Sequence, residues 1–113
     1  MKWHRLPSSA LSEKAPIKLL KIAGRKVCLI SNEGKWHATS ARCPHAGANL
    51  AGGWCENGQL FCPYHRHHFD LLDGKGAPGQ NNSIIIYLIE EREDGLYIQL
   101  PETLMSKWLA FLT

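Results

Sequence analysis

"CPYHRHHFD", residues 62–70, sets one cysteine beside three histidines. Upstream, "CPHAGANL", residues 43–50, opens the same way: a cysteine, a proline, and a histidine two positions after the cysteine. The chain therefore carries two Cys/His pairs, Cys43/His45 and Cys62/His65, with sixteen residues between them. One such pair would carry little weight. Two pairs, each with proline after its cysteine and each in a stretch that fits no strand pattern, read as the ligand set of one metal centre. Thiolate and imidazole suit a soft or borderline metal.

Outward from these loops the chain reads as short strands between turn signals, the rhythm of an all-β domain. Strands are expected at 17–22, 27–31, 36–40, 59–61, 68–71, 83–90 and 96–100. Gly24, "SNEGK" around Gly34, and "REDGL" supply turns. The two Cys/His stretches then become loops on a rigid β scaffold, a common place for binding chemistry. The tail changes character. "PETLMSKWLAFLT" starts with Pro101 and Glu102, and Leu104, Trp108, Phe111 and Leu112 recur at helical spacing. A short helix over about 102–112 is expected, its apolar face packed on the β domain or offered to a partner.

At 113 residues the chain has room for one core, so a single domain spanning 1–113 is expected. Its composition is that of an ordinary globular protein, 44% hydrophobic and 20% charged. The net charge of +3 is scattered, without a basic block interleaved with aromatics, which argues against a nucleic-acid partner. The longest apolar run, around Ile84–Ile86, is too short to span a bilayer, and the first residues lack the apolar stretch of a secretory leader. A cytoplasmic location follows as the expectation, with the four cysteines reduced and free to act as ligands.

Which metal is a question of grouping. Zinc fingers usually pair like ligands, two cysteines and then two histidines, and a structural zinc module stays open as an alternative. Here each loop gives one sulfur and one nitrogen, which suits a binuclear site with the cysteines on one iron and the histidines on the other.

With "CPHAGANLAGG" and "CPYHRHHFDLLDGKGAP" in place, the sequence closely resembles the Rieske family of [2Fe-2S] proteins. The likeness runs from the first β-hairpin to Leu100, and includes Gly47, Leu50, Gly52 or Gly53, Phe69-Asp70, and Gly74 with Pro78. It implies an antiparallel β-sandwich or barrel of short strands with a two-loop cluster-binding subdomain, loops at about 41–53 and 62–78. It also implies a [2Fe-2S] cluster with Cys43 and Cys62 on the inner iron and His45 and His65 on the outer one. Ala48 and Tyr64 stand where the high-potential members carry a disulfide, and His67 stands where they carry a serine whose hydroxyl bonds to the cluster. Fewer hydrogen bonds to the cluster sulfurs lower its potential, so it is expected in the lower part of the range from about −150 to about +300 mV. Arg66 stands where the family usually has glycine.

The remaining candidates read more plainly. Cys28, in "KVCLI", is a small buried hydrophobe and Cys55 a structural thiol. Trp3, Trp36 and Trp54 are packing residues, His4 and His37 ordinary polar positions, and His67 and His68 solvent-facing or packing side chains. No nucleophile or general-base constellation is visible, and there is no room for an appended catalytic domain. The expected function is one-electron transfer from a reductase to a terminal oxygenase or another oxidoreductase, by a monomer. A regulatory or redox-sensing subunit of an oxidoreductase is the alternative.

Overall fold

The run "VCLI", residues 27–30, is unbroken by polar residues because the strand that contains it is covered on both faces. In the computed structural model, which describes residues 1–11, 15–44, 47–64 and 66–101, this strand is β3 (Arg25–Asn32). Its odd positions Val27 and Leu29 pack into one buried cluster with Leu96, Ile98 and Leu100. Its even positions Cys28 and Ile30 pack into another, with Leu50, Leu60, Cys62 and Phe69. The alternation of a strand sends successive side chains to opposite faces, so one strand serves two cores.

β3 is paired on both sides, by β2 (Ile17–Ile22) and β4 (Lys35–Ser40), and β8 (Ile86–Tyr87) extends the β4 edge. A second sheet sets β10 (Gly95–Leu100) between β1 (Lys2–Arg5) and β9 (Ile89–Arg92). Leu96, Ile98 and Leu100 alternate along β10 and face Val27, Leu29, Ala38 and Tyr87, which makes the two sheets a sandwich. The third sheet, β5 (Trp54–Glu56), β6 (Gln59–Phe61) and β7 (His68–Asp70), lies against the other face of β3 and carries the second core. All pairings are antiparallel, and the all-β fold is as expected.

Three hairpins close through two-residue turns, Ala23–Gly24, Glu33–Gly34 and Asn57–Gly58, with both central φ values positive. These are the turns whose twist matches that of the flanking strands.

Three differences from the expected strands have physical reasons. The single strand expected at 83–90 is two: β8 belongs to one sheet and β9 to the other, and Leu88 between them is exposed as the chain crosses over. β1 and β5 were not expected; they are four and three residues long, and their partners, not their own patterns, hold them as strands. The helix expected over about 102–112 lies outside the described residues.

Candidate metal centre

β4 delivers the chain into the first loop at Ala41. There the Leu50 N–H donates to the Ala41 carbonyl at 2.9 Å, and Cys43 and Ala48 close on each other through Cys43 N–H to Ala48 O at 2.8 Å. Gly47 N–H donates to the Cys43 carbonyl at 2.8 Å, and its φ of +68° is the left-handed turn that glycine takes without a Cβ penalty. The Asn49 side chain accepts from the Ala51 N–H at 3.0 Å and caps the 3₁₀ turn Leu50–Gly52. These bonds hold Cys43 inside the core, 1% exposed.

The second loop connects β6 to β7. Cys62 N–H donates to the His67 carbonyl at 2.7 Å, closing the loop at its base, and Cys62 is fully buried. The two thiols meet: Cys62 is in hydrogen-bonding contact with the Cys43 side chain, and no disulfide joins them. Burial pushes the Cys62 thiol up; the backbone N–H of Tyr64 pulls the other way, and the neighbouring Cys43 adds to the rise. Two adjacent thiolates in an apolar pocket would repel each other and lose their hydration, so only a cation between them keeps both deprotonated. A thiol pair buried among Leu50, Leu60, Phe69 and Ile84, with a backbone donor aimed at one sulfur, is therefore a donor set that fits an iron–sulfur cluster. His45 and His65, the two nitrogen ligands expected from the sequence, lie outside the described residues.

Arg66 adopts φ +54°, the left-handed conformation that glycine would take there. The loop keeps the path a glycine would give it, and the arginine bears the strain.

A third loop, 74–84, braces the second; Gly74 and Pro78 in it belong to the family likeness, whereas Gln80 and Asn82 carry no signal in the sequence. The His68 N–H donates to Gln80 Oε1 at 3.0 Å, and Gln80 Nε2 donates back to the His68 carbonyl at 3.2 Å. Gln80 Nε2 also reaches Asn82 Oδ1 at 3.0 Å, and Asn82 Nδ2 lies 3.5 Å from His67 Nδ1. "GQNNS" reads as a polar turn and gives no signal of this role. Gly74 has a φ of +78°, and a Cβ there would lie 2.1 Å from the Ile84 carbonyl oxygen.

An aromatic ladder crosses the small sheet. Trp54 stacks on Phe61 at 5.4 Å between ring centroids, and Phe61 on His68 at 4.6 Å. His68 is thus a packing residue, and Trp54 packs with one face while remaining partly exposed. Cys28 is fully buried, as expected.

Comparison with known proteins agrees with this geometry. The model of the Rieske [2Fe-2S] domain matches residues 2–86. The chain is 30% identical over 86 residues to the ferredoxin component of the naphthalene 1,2-dioxygenase system of Pseudomonas putida, covering 73% of this chain and 81% of that protein. It is 32% identical over 92 residues to the nitrite reductase [NAD(P)H] of Emericella nidulans, a match over 73% of this chain that spans only 8% of the enzyme's length. The ferredoxin of carbazole 1,9a-dioxygenase from Nocardioides aromaticivorans IC177 has the same fold, with a TM-score of 0.75 at 19% identity, covering 90% of this chain and all of that one. Two loops, two buried thiols without a disulfide, and a family match over most of the length lead to one conclusion: this chain belongs to the Rieske [2Fe-2S] domain family.

Proposed function

We propose that the protein is a one-electron carrier whose [2Fe-2S] cluster is held by Cys43 and Cys62 on the buried side and by His45 and His65 on the outer side. The observation that carries this reading is the contact between two buried thiols from separate loops, in a family defined by that cluster. When bound, the cluster supplies a one-electron couple. The residues of the chain do the rest. Leu50, Leu60 and Phe69 keep water from the sulfur side, and the Tyr64 N–H places a positive dipole at Cys62, which favours added negative charge. The third loop fixes the backbone of His68, where the second loop ends.

The partners in this reading are a reductase that donates and a terminal oxygenase or other oxidoreductase that accepts. Its support is the similarity to ferredoxin components of dioxygenase systems. Four free thiols favour a reducing compartment, the cytoplasm, and no helix among the described residues is long and apolar enough to cross a membrane.

The test is the metal content and spectrum of anaerobically purified protein. Iron and acid-labile sulfide in equal amounts, about two of each per chain, with a mixed-ligand EPR signal after reduction, are expected. One zinc and no sulfide would sink the reading.

A further inference from the structure

Among the described residues the acidic side chains gather at one end of the molecule, and the strand registers fix which end that is. Val27 pairs with Ser40 and Asn32 with Lys35. The Ala23–Gly24 turn therefore lies at the end where β4 enters the first metal loop, and Glu33–Gly34 lies at the opposite end. In the small sheet, Phe61 pairs with His68 beside the second metal loop, whereas Glu56 and Asp70 both align with Gln59 at the far end. A cleft lined in part by Glu33, Asn57 and Asp70 shows that these far turns converge. β8 runs from Thr39 towards Ala38, away from the metal loops, and its continuation leads through β9 to the turn at Glu93 and Asp94.

The metal end carries the opposite sign. There is no acidic residue between Glu33 and Glu56, between Glu56 and Asp70, or between Asp73 and Glu90. Lys21, Lys26, Arg42 and Arg66 stand exposed at this end, and among the described residues none of them is ion-paired. Lys26 and Arg42 flank a cleft of about 170 Å³ that is also lined by Leu19, Ala41 and Gly47. At ~30 Å³ of liquid per water, it has room for about five waters, enough for one acidic side chain. Gly47 lies two residues from His45.

We infer that the metal end is a docking face for an acidic protein: the redox partner surrounds its electron-exchange site with carboxylates, and one of them enters the Lys26/Arg42 cleft. This rests on the electron-carrier reading above. The net charge of +3 could not choose a face; the sorting does, because unscreened cations around an exchange site steer an oppositely charged patch into register. The apolar floor at Leu19 and Ala41 suits a protein side chain better than a row of phosphates.

The test uses dithionite-reduced holoprotein in stopped flow, with two oxidants that each take one electron. Ferricyanide is a trianion and tris(phenanthroline)cobalt(III) a trication. The ferricyanide rate should fall about tenfold between ~10 mM and ~0.5 M salt, while the cobalt rate rises. Lys26→Glu and Arg42→Glu should each remove at least half of the ferricyanide salt response, and Lys35→Glu, an equal charge change at the far end, should leave it intact. Lys26→Glu decides if Arg42→Glu fails to hold iron. NMR titration of the oxidised protein with poly-L-glutamate should shift Lys26, Gly47 and Asn49. An equal salt response for both oxidants, an equal effect of Lys35→Glu, or shifts only with phosphatidylglycerol vesicles would overturn the docking face. A wild-type protein without the EPR signal would overturn the electron-carrier reading instead, and the polyglutamate titration alone would then decide the face.

Discussion

Gln80 holds both backbone polar groups of His68, accepting from its N–H at 3.0 Å and donating to its carbonyl at 3.2 Å. A side-chain amide placed this way takes the part of a neighbouring strand, and it does so where β7 leaves the second metal loop. Gln80→Ala strips the His68 N–H of its acceptor, at a cost of about 1–3 kcal/mol. The carbonyl keeps a second donor, the Ala77 N–H at 3.1 Å. Gln80→Glu, which still accepts but cannot donate, should therefore fall between wild type and Gln80→Ala. Thermal melting and the rate of iron loss to a chelator check the order; equal behaviour of the two variants would refute it.

Gly52 and Gly53 are neighbours with opposite tolerance. A Cβ at Gly53 would lie 1.9 Å from the Phe61 carbonyl oxygen, whereas one at Gly52 would meet only Pro63 Cγ at 3.8 Å. Gly53→Ala should force β5 off β6, costing about 3 kcal/mol or more, and Gly52→Ala should be close to neutral. Denaturant unfolding of the two variants side by side measures the difference.

Arg66 offers a stabilising change. Its left-handed φ of +54° costs roughly 1–2 kcal/mol for a residue with a Cβ. Arg66→Gly removes that cost but restores about 0.5–1 kcal/mol of backbone entropy to the unfolded chain. The net gain is about 0.5 kcal/mol, whereas the β-branched Arg66→Val should lose stability. A melting temperature for Arg66→Gly below that of wild type would show that the side chain makes a compensating contact.

Cys28 sets an alkaline limit. Burial holds its thiol up from the ordinary 9.0 to about 11, against a smaller opposing hydrogen bond with Thr39. In the unfolded chain the thiol ionises first, so the unfolded state binds fewer protons and stability falls as pH rises from about 9 to about 11. That interval is worth on the order of 2–3 kcal/mol. Stability is fully present below pH 9, where both states keep the proton. Cys28→Val should flatten this part of the stability curve, and denaturant midpoints across that range test it.

Much of this was legible because the chain marks its own periods. Residues 17–22 and 59–61 are strands over the expected bounds, closed by turn residues, and "KVCLI" identified Cys28 as core. The thiol half of the site could be read as well, since cysteines beside prolines in loops have few other uses. β5 could have been found: Asn57-Gly58 between "WCE" and "QLF" is a two-residue hairpin signal. β1 could not, because "KWHR" lacks alternation and becomes a strand only by pairing with β10, at the other end of the sequence. The crossing at Leu88 was hidden for a related reason: local pattern says which face a residue takes, not which sheet it joins. Gln80 acts on the backbone of His68, and Asn82 on the Gln80 amide and the His67 ring, and nothing in their own neighbourhood announces a distant client.

The strand with two buried faces bears on modular reuse of this architecture. Anyone grafting the metal-bearing lobe onto a different sandwich would have to carry Cys28 and Ile30 along as part of the insert, although both lie outside its loops. Cutting the lobe away would leave a greasy stripe on the remaining sandwich, an invitation to self-association. The lobe is thus less an ornament on a finished barrel than one half of a shared wall.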